Sequence, residues 1–248
     1  MTLRISAHLL PALIPSDGLA GSCAVVIDLF RATTTISHAL AAGARAVIPC
    51  AEIEEALQAA SRFPQGQALL GGERNCVRIS GFDLGNSPAD YTRERVQGRI
   101  VVMSTTNGTT AIRKAATAER VITAALANLS AVVESILGEQ RPVHIICSGT
   151  KGVITGEDVL CAGAIISAAA SRSAQPLETN DCARMAASWY QQVTTAGADS
   201  LSRELRQSLG GRNLLAAGQE ADIITAARVD TTSVLPEWNH TTGELTLA

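Results

Sequence analysis

The chain is poor in aromatic residues, in lysine and in long apolar runs. Only 3% of its 248 residues are aromatic, so it lacks the stacking surfaces with which proteins bind single-stranded nucleic acid. Its net charge is −3 and it has no basic run, which argues against a nucleic-acid backbone as partner. No stretch of about 18 uncharged apolar residues occurs, so no membrane-spanning helix is expected. We therefore expect a partner that is neither nucleic acid nor membrane.

Several catalytic signatures are also missing. The sequence has no G-x-x-x-x-G-K-[ST] and no G-x-G-x-x-G, which excludes nucleotide binding by those loops. It has no G-x-S-x-G, which disfavours the common type of serine hydrolase. Asp28 is followed two residues later by Phe30 rather than by a second Asp, no Cys has an Arg six residues later, and no R-H-G occurs. The four His form no zinc motif. Covalent aspartate, cysteine or histidine phosphatase chemistry and a zinc site are therefore unsupported.

The six Cys are scattered and none belongs to a C-x-x-C pair. Residues 1–20 lack the order of charged, apolar and cleavage-site segments that is typical of a secretory signal. Both features predict reduced, mostly buried thiols in a cytoplasmic protein. The basic residues are 18 Arg and two Lys, a bias that fits anionic ligands because Arg binds their oxygens as a planar fork. Genomic base composition accounts for the same bias equally well.

Short apolar runs rich in Val and Ile alternate with helical patterns, which indicates an α/β protein. The runs are continuous rather than alternating, as in strands buried on both faces. The predicted strands are Leu3–His8, Ala24–Leu29, Ala46–Cys50, Ala68–Gly71, Arg99–Ser104, Arg120–Thr123 and Val143–Cys147. The predicted helices are Thr34–Ala42, Ile53–Arg62, Thr109–Thr117, Leu129–Leu137, Gly156–Ser171 and Asp181–Thr194. Residues 199–227 read as helical again, and the tail 231–247 has two short β-like pieces around Pro236. We expect a three-layer α/β/α fold with a largely parallel or mixed sheet, as one domain over residues 1–248 or two lobes meeting near residues 125–145.

Polar residues cluster directly after predicted strands, where open α/β sheets bind ligands. The clusters are Asp28–Thr35, Gly72–Arg74 with Gly81–Pro88, Thr105–Thr109, and Ser148–Gly152 with Thr155–Asp158. Four clusters at equivalent positions are stronger evidence for a ligand site than any one cluster alone.

Each cluster also has a purely structural interpretation. Asp28 and Arg31 could hold a divalent cation and an anion, or form a pair that fixes a strand-to-helix turn. The hydroxyls, amide and free N–H groups of residues 104–109 could converge on an anion, or serve as a polar helix cap. Glu73 and Arg74 could be a solvated pair, and Gly81–Pro88 a turn in which Asn86 and Ser87 also contact phosphate. Glu157 and Asp158 could bind metal or act as base, or could offset a helix dipole.

Taken in order, these segments resemble the 2-phosphosulfolactate phosphatases, the ComB family. The resemblance is carried by Val25–Thr35, Gly72–Arg74, Gly81–Pro88 and Ser104–Thr109. Ser148-Gly149 and Glu157-Asp158 look like a later motif of that family, and Gly218–Asp222 with Asp230 and Pro236 look like its C-terminal pattern. The resemblance implies a ComB-like α/β fold, self-association as a homodimer or other homo-oligomer, and a magnesium-dependent phosphatase. Its substrate would be (R)-2-phospho-3-sulfolactate, and its products phosphate and (R)-3-sulfolactate, a step of coenzyme M biosynthesis.

The chemistry of the residues agrees with that class, since phosphoryl transfer depends mainly on positioning and charge neutralisation. We hypothesise that Mg²⁺ is held, directly or through water, by Asp28, Glu73 and Asp158. The catalytic residues would be Asp28, Arg31 and Glu157, with Glu157 as a candidate base toward a water activated at the metal. The groups expected to bind the substrate are Arg31, Arg74, Asn86, Ser87, Thr105, Thr106, Asn107, Gly108, Thr109, Ser148 and Lys151.

Three other interpretations stay open at this point. The substrate could be another small phosphorylated carboxylic acid. The same turns could bind an anion without catalysis, although an anion receptor gains nothing from four acidic residues there. Finally, the polar residues of every cluster could serve only to form turns in a structural subunit, and their side chains would then be uniformly exposed.

Overall fold

A computed structural model of the chain describes residues 2–15, 18–197 and 199–248. The predictions for residues 1–20 fall partly on Met1, Ser16 and Asp17, which lie outside the described residues. The strands are β1 Arg4–His8, β2 Cys23–Ile27, β3 Ala46–Cys50, β4 Ala68–Arg74, β5 Val77–Arg78, β6 Ile100–Ser104, β7 Arg120–Ala124, β8 Val143–Cys147, β9 Glu178–Thr179, β10 Pro236–Asn239 and β11 Glu244–Leu247. The helices are α1 Ala32–Ala41, α2 Ile53–Ala60, α3 Arg93–Val96, α4 Gly108–Ala115, α5 Leu129–Leu137, α6 Gly156–Arg172, α7 Asp181–Thr195, α8 Ser200–Gln207, α9 Leu209–Ala216 and α10 Glu220–Ala226.

All the predicted strands and helices are confirmed, with ends that shift by at most about three residues, as is usual at element boundaries. The helical stretch 199–227 consists of α8, α9 and α10, and the two β pieces of the tail are β10 and β11. The short elements β5, β9 and α3 were not predicted, because two to four residues are too few to show a periodic pattern.

The strands form one sheet in the order β5-β4-β6-β3-β11-β10-β7-β2-β8-β1-β9. The strands β4, β6 and β3 are mutually parallel, and so are β7, β2, β8, β1 and β9. The C-terminal hairpin β10–β11 joins these two sets through antiparallel pairs on both sides. The sheet is therefore mixed, which agrees with the predicted fold class, and its two parallel sets run in opposite senses along the ladder.

Helices α1 and α4 pack where the two parallel sets face a common core. That core contains Val26 of β2 and Met103 of β6 together with Ile36 of α1 and Ile112 of α4, all of them fully buried. A second core lies on the other face of β2 and β8, under α5, α6 and α7, and a smaller one packs α2 on the set of β3 and β6. The fold is thus α/β, with helices on both faces of a curled sheet. The prediction of one domain or two lobes meeting near residues 125–145 stays a prediction.

The thiols agree with the prediction for cysteine. All six Cys are free, four of them are buried, and Cys76 and Cys182 are half-buried. His8 and His144, on the neighbouring strands β1 and β8, lie with Nε2 of His8 2.8 Å from Nδ1 of His144. This contact gives His144, in the middle of an apolar strand, a polar partner on the neighbouring strand. In the part of the chain described, none of the helices has the length and apolar character needed to cross a bilayer.

Candidate active site

A cavity of about 430 Å³ opens at the ends of β2, β4 and β6. That volume is in the range of small-molecule sites. Its polar lining consists of Asp28, Arg31, Glu73, Asn75, Asn86, Thr106, Asn107, Thr150, Lys151 and Asn213. Its apolar lining comes mainly from Phe30, Cys76, Val77, Leu214, Ala216 and Ala217. Three of the four polar clusters predicted from the sequence therefore meet directly in one cavity, and residues 150 and 151 bring the fourth to it.

Asp28 is buried where β2 ends. Its backbone N–H donates to Oγ1 of Thr33 at 3.0 Å, the hydroxyl of Thr33 donates to its carbonyl at 2.9 Å, and Ala32 N–H donates to its Oδ1 at 3.3 Å. Burial is the largest cause that raises the pKa of the Asp28 carboxyl, and the charges of Glu73 and Glu157 add to it; with the opposing effects of Ala32 N–H and Arg31 included, the pKa rises to about 7. Holding Asp28 ionised is thus costly unless a cation enters the cavity.

The Glu73 carboxylate joins two of the polar turns. Its Oε1 accepts from the N–H of Thr106 at 3.0 Å and from the hydroxyl of Thr106 at 2.8 Å, and its Oε2 accepts from Cys76 N–H at 2.8 Å. Both Glu73 oxygens are therefore committed to protein donors. The N–H and hydroxyl of Thr106 thus orient Glu73 in this structure, and the expected contact of Thr106 with phosphate stays a prediction.

The N-terminus of α4 lies against Asp28. A Cβ at Gly108 would overlap the side chain of Ala32 and stand 2.5 Å from Oδ2 of Asp28. Only glycine lets the first turn of α4 approach the carboxylate this closely, and its positive dipole end is favourable to negative charge there. The hydroxyl of Thr109 donates to Thr105 carbonyl at 3.1 Å, and Thr105 Oγ1 accepts from Thr109 N–H at 3.3 Å. The Thr105–Thr109 pair thus fixes this turn from behind the cavity.

Arg31 is the buried cation of the site. Its Nη1 donates to Oδ2 of Asp222 at 2.6 Å, and the hydroxyl of Ser87 donates to Oδ1 of the same carboxylate at 2.6 Å. Arg31, Ser87 and Asp222 come from three distant segments of the chain. Ser87 supports Asp222 from outside the cavity lining, and its expected contact with phosphate stays a prediction.

Lys151 adds an exposed positive charge to the cavity lining. Lys151 has a positive φ of 51°, its N–H donates to Oδ1 of Asn107 at 2.9 Å, and its Nζ donates to Oδ1 of Asn75 at 3.0 Å. These bonds hold the ammonium group beside the cavity although Lys151 is exposed. The group can bind an anion there.

Arg74 and Ser148, which were expected to bind substrate, also lie outside the cavity lining. Arg74 donates to the carbonyls of Glu73 and Ala51 and to Oγ of Ser104 at 2.8–3.1 Å. Ser148 donates to Oδ2 of Asp158 at 3.0 Å. Their side chains thus brace the turns around the site, and direct binding of substrate by Arg74 and Ser148 stays a prediction.

Asp158 joins the turns after β2 and β8. Its Oδ1 accepts from Leu29 N–H at 2.8 Å, and its Oδ2 accepts from Gly149 N–H at 2.9 Å as well as from Ser148. Burial, followed by the charges of Glu157 and Asp28, raises the pKa of Asp158 well above its ordinary value. Burial also raises the pKa of Glu157, whose Oε2 accepts from the N–H of Gly210 at 3.4 Å. The carboxylate of Glu157 therefore lies behind the N-terminus of α9, and its role as a base stays a prediction.

Sequence reasoning missed one wall of the cavity and one supporting residue. Helix α9 and the residues after it contribute Gly210, Asn213 and Leu214 to the lining, and α10 contributes Asp222 behind it. Neither segment follows a predicted strand, so their positions gave no signal. Asp222 was visible only as part of the C-terminal pattern of the resemblance.

The donor set fits magnesium that is shared with the substrate. Among residues 2–15, 18–197 and 199–248, no three His, Cys, Asp or Glu side chains form a group that holds a metal by themselves. Magnesium usually takes one or two carboxylates and completes its shell with water and substrate phosphate. Asp28 offers a carboxylate to the cavity, and Oδ1 of Asn86 is buried with no hydrogen-bond donor in the described part of the chain. Glu73 and Asp158 bind N–H and O–H donors here, so their roles as metal ligands stay predictions.

Comparison with known proteins gives a consistent result. The profile of the 2-phosphosulpholactate phosphatase family matches residues 8–241. A probable 2-phosphosulfolactate phosphatase of Symbiobacterium thermophilum is 43% identical over 233 residues, which cover 94% of this chain and 97% of that protein. A protein of the same name from Thermosynechococcus vestitus is 37% identical and covers 99% of this chain and 100% of its own length. One from Nostoc punctiforme is 36% identical over 98% of both chains.

Proposed function

The chain belongs to the 2-phosphosulpholactate phosphatase family, and we propose that it hydrolyses (R)-2-phospho-3-sulfolactate to (R)-3-sulfolactate and phosphate with the help of Mg²⁺. Membership of this family makes it a phosphoric monoester hydrolase. The observation that carries the proposal is the single cavity that unites Asp28, Arg31 and Glu73 with the polar turn after β6. This reaction is a step of coenzyme M biosynthesis, and we propose that the sulfolactate formed here enters that pathway.

The cavity can hold two anionic groups at once. We assign the phosphoryl group to the side with Arg31, Asn86 and the N-terminus of α4, because a buried guanidinium and free helix N–H groups favour phosphate oxygens. The carboxylate or sulfonate of the substrate would lie toward Lys151 and the amide of Asn107. In the reaction a water oxygen bonds to phosphorus as the ester bond breaks, and the ester oxygen leaves with a proton as the hydroxyl of sulfolactate.

The charge balance of the cavity supports a divalent cation. Asp28 and Glu73 are buried carboxylates, the charge of Arg31 is offset by Asp222, and Lys151 adds one exposed positive charge to the lining. A multiply charged anion entering beside them would be repelled unless positive charge accompanied it. Asp28 and Asn86 would hold magnesium, which supplies charge neutralisation at the phosphoryl oxygens when bound.

The alternatives make different predictions for one experiment. Phosphate release is measured with (R)-2-phospho-3-sulfolactate and with a panel of other phosphorylated carboxylic acids, each with Mg²⁺ and with EDTA. The proposal expects the sulfonated substrate to have the highest kcat/KM and EDTA to abolish turnover. A higher kcat/KM for a substrate without a sulfonate would replace the assignment with a different phosphatase. Anion binding without turnover, unaffected by EDTA, would show an anion-binding protein instead.

Two further features remain proposals. We infer a cytoplasmic location from the six free thiols, which oxidising compartments would tend to pair. We also propose self-association as a homodimer or other homo-oligomer, which light scattering coupled to size-exclusion chromatography would test.

A further inference from the structure

Asp222 of α10 is a buried carboxylate that touches the reaction only through another residue. It is 4% exposed and does not line the cavity. Both its oxygens are occupied at 2.6 Å, one by Nη1 of Arg31 and the other by the hydroxyl of Ser87. We propose that Asp222 is a positioning residue, which holds the Arg31 guanidinium toward the phosphoryl group and away from Asp28.

The first support is the geometry of the network. Arg31 lies in the turn after β2. Its side chain is only 3% exposed, yet it forms part of the cavity lining. A long side chain in such a site has several competing rotamers, and one short charge-assisted bond at Nη1 fixes the fork while leaving its other N–H groups for an anion. Ser87 in turn fixes the plane of the Asp222 carboxylate.

The second support is the competition between carboxylates. Asp28 and Arg31 are three positions apart in the chain and both line the same cavity, so their charged groups share one space. Without Asp222, the acidic groups available to the unpaired guanidinium in the cavity lining would be Asp28 and Glu73. Pairing with either carboxylate would withdraw Arg31 from the phosphoryl group and occupy a carboxylate that the cation needs. Asp222 prevents such pairing because it accepts a hydrogen bond from Arg31 outside the cavity lining.

The inference rests on the proposed function of Arg31 and is tested by a double-mutant cycle. Asp222→Asn keeps the shape of the side chain and removes its charge, and Arg31→Ala removes the group on which it acts. We expect Asp222→Asn to lower kcat/KM about tenfold or more, mainly through kcat, and Arg31→Ala to lower it about 100-fold. The double variant should lie within about threefold of Arg31→Ala, because Asp222 has no effect once Arg31 is gone.

The matched control is Glu220→Gln on the same helix. Glu220 also pairs with an arginine, Arg206, at 3.0 Å, but at the surface, so its loss should leave kcat/KM within about twofold. Ser87→Ala should give a loss between those of the control and Asp222→Asn. Thermal unfolding midpoints of all variants are compared, so that loss of folded protein is not read as loss of rate.

Three outcomes separate the inference from the proposed function. Additive losses in the double variant, or an Asp222→Asn enzyme within threefold of the parent, would overturn the positioning role alone. Full activity of Arg31→Ala would remove Arg31 from the phosphoryl site and the inference with it. If the parent releases no phosphate from any substrate, calorimetric binding of inorganic phosphate to the same four proteins replaces kcat/KM. Absence of coupling between residues 31 and 222 in that measurement would refute the inference independently.

Discussion

Replacement of Asp28 by Asn should abolish phosphate release and at the same time stabilise the protein at pH 8. Asn keeps an oxygen for the N–H of Ala32 but carries no charge. Burial and the neighbouring charges of Glu73 and Glu157 raise the pKa of Asp28 from 3.8 to about 7. Each tenfold change in an ionisation constant corresponds to about 1.4 kcal/mol, so holding this carboxylate ionised costs at most roughly 4 kcal/mol of folding free energy.

The sign of the pH dependence follows from the raised pKa. The native state binds the Asp28 proton more tightly than the unfolded state, so the penalty is absent below pH 3.8. It grows between pH 3.8 and about pH 7 and is complete above that range. The variant should therefore be more stable than the parent by about 1–4 kcal/mol at pH 8, and the advantage should vanish toward pH 4.

The assay is thermal unfolding followed by circular dichroism at pH 4.5, 6 and 8, with EDTA present so that no metal compensates the charge. For a chain of this length, 1 kcal/mol corresponds to roughly 2–4 °C in Tm. Asp181→Asn is the control, because Asp181 is 82% exposed and its pair with Arg184 lies at the surface. The reasoning would be refuted if the variant had a lower Tm than the parent at pH 8, or if its Tm differed from that of the parent by the same amount at pH 4.5 and pH 8.

The effect of Mg²⁺ on thermal stability tests the role of Asp28 independently. If Asp28 holds the cation, added Mg²⁺ should raise the Tm of the parent by mass action and leave that of Asp28→Asn nearly unchanged. Equal Tm increases in both proteins would place the metal elsewhere.

Three other substitutions test the surroundings of the cavity. Gly108→Ala should lower activity at least tenfold and cost about 1–3 kcal/mol in urea unfolding, because its Cβ would press on Asp28, whereas Gly138→Ala, where a Cβ has room, should do neither. Asp158→Ala should lower the free energy of unfolding by about 2–5 kcal/mol, since it leaves two buried N–H groups unpaired; a loss below about 1 kcal/mol would contradict this. Lys151→Ala should raise KM several-fold with kcat within about twofold, because we assign its ammonium to the carboxylate or sulfonate and not to the phosphoryl group; an unchanged KM in steady-state assays would show that it binds no part of the substrate.

Much of the fold could be predicted because its signals are local. Val143–Cys147 and Ala46–Cys50 were predicted to the residue, since a short continuous apolar run between polar turns is typical of a buried strand. The polar clusters after β2, β4 and β6 line one cavity, as the sequence hypothesis required, although β2 runs opposite to β4 and β6 in the sheet, which strand-end polarity did not show. The mixed character of the sheet was left open beside a largely parallel one, and only the structure shows the tail hairpin inserted between two parallel sets.

The candidate site was less predictable within each cluster. Sequence position shows that a residue lies near the site, but not whether its side chain points into the cavity or back into the turn. Asp28, Asn86 and Asn107 line the cavity, while Thr109, Ser148 and Asp158 use their polar atoms on neighbouring backbone or side-chain groups. The difference is decided by side-chain direction at each turn, which depends on the packed backbone.

The element order, the α/β class and the chain segments that supply the chemistry follow from the order of residues alone, because periodicity and strand-end polarity are properties of neighbouring residues. The pairing of each carboxylate with its partner follows only from the packed fold. Arg31 and Asp222 are 191 positions apart, and Glu73 reaches Thr106 across 33. Contacts over such separations leave no local pattern, since they depend on how the curled sheet and the last helices bring distant turns around one cavity.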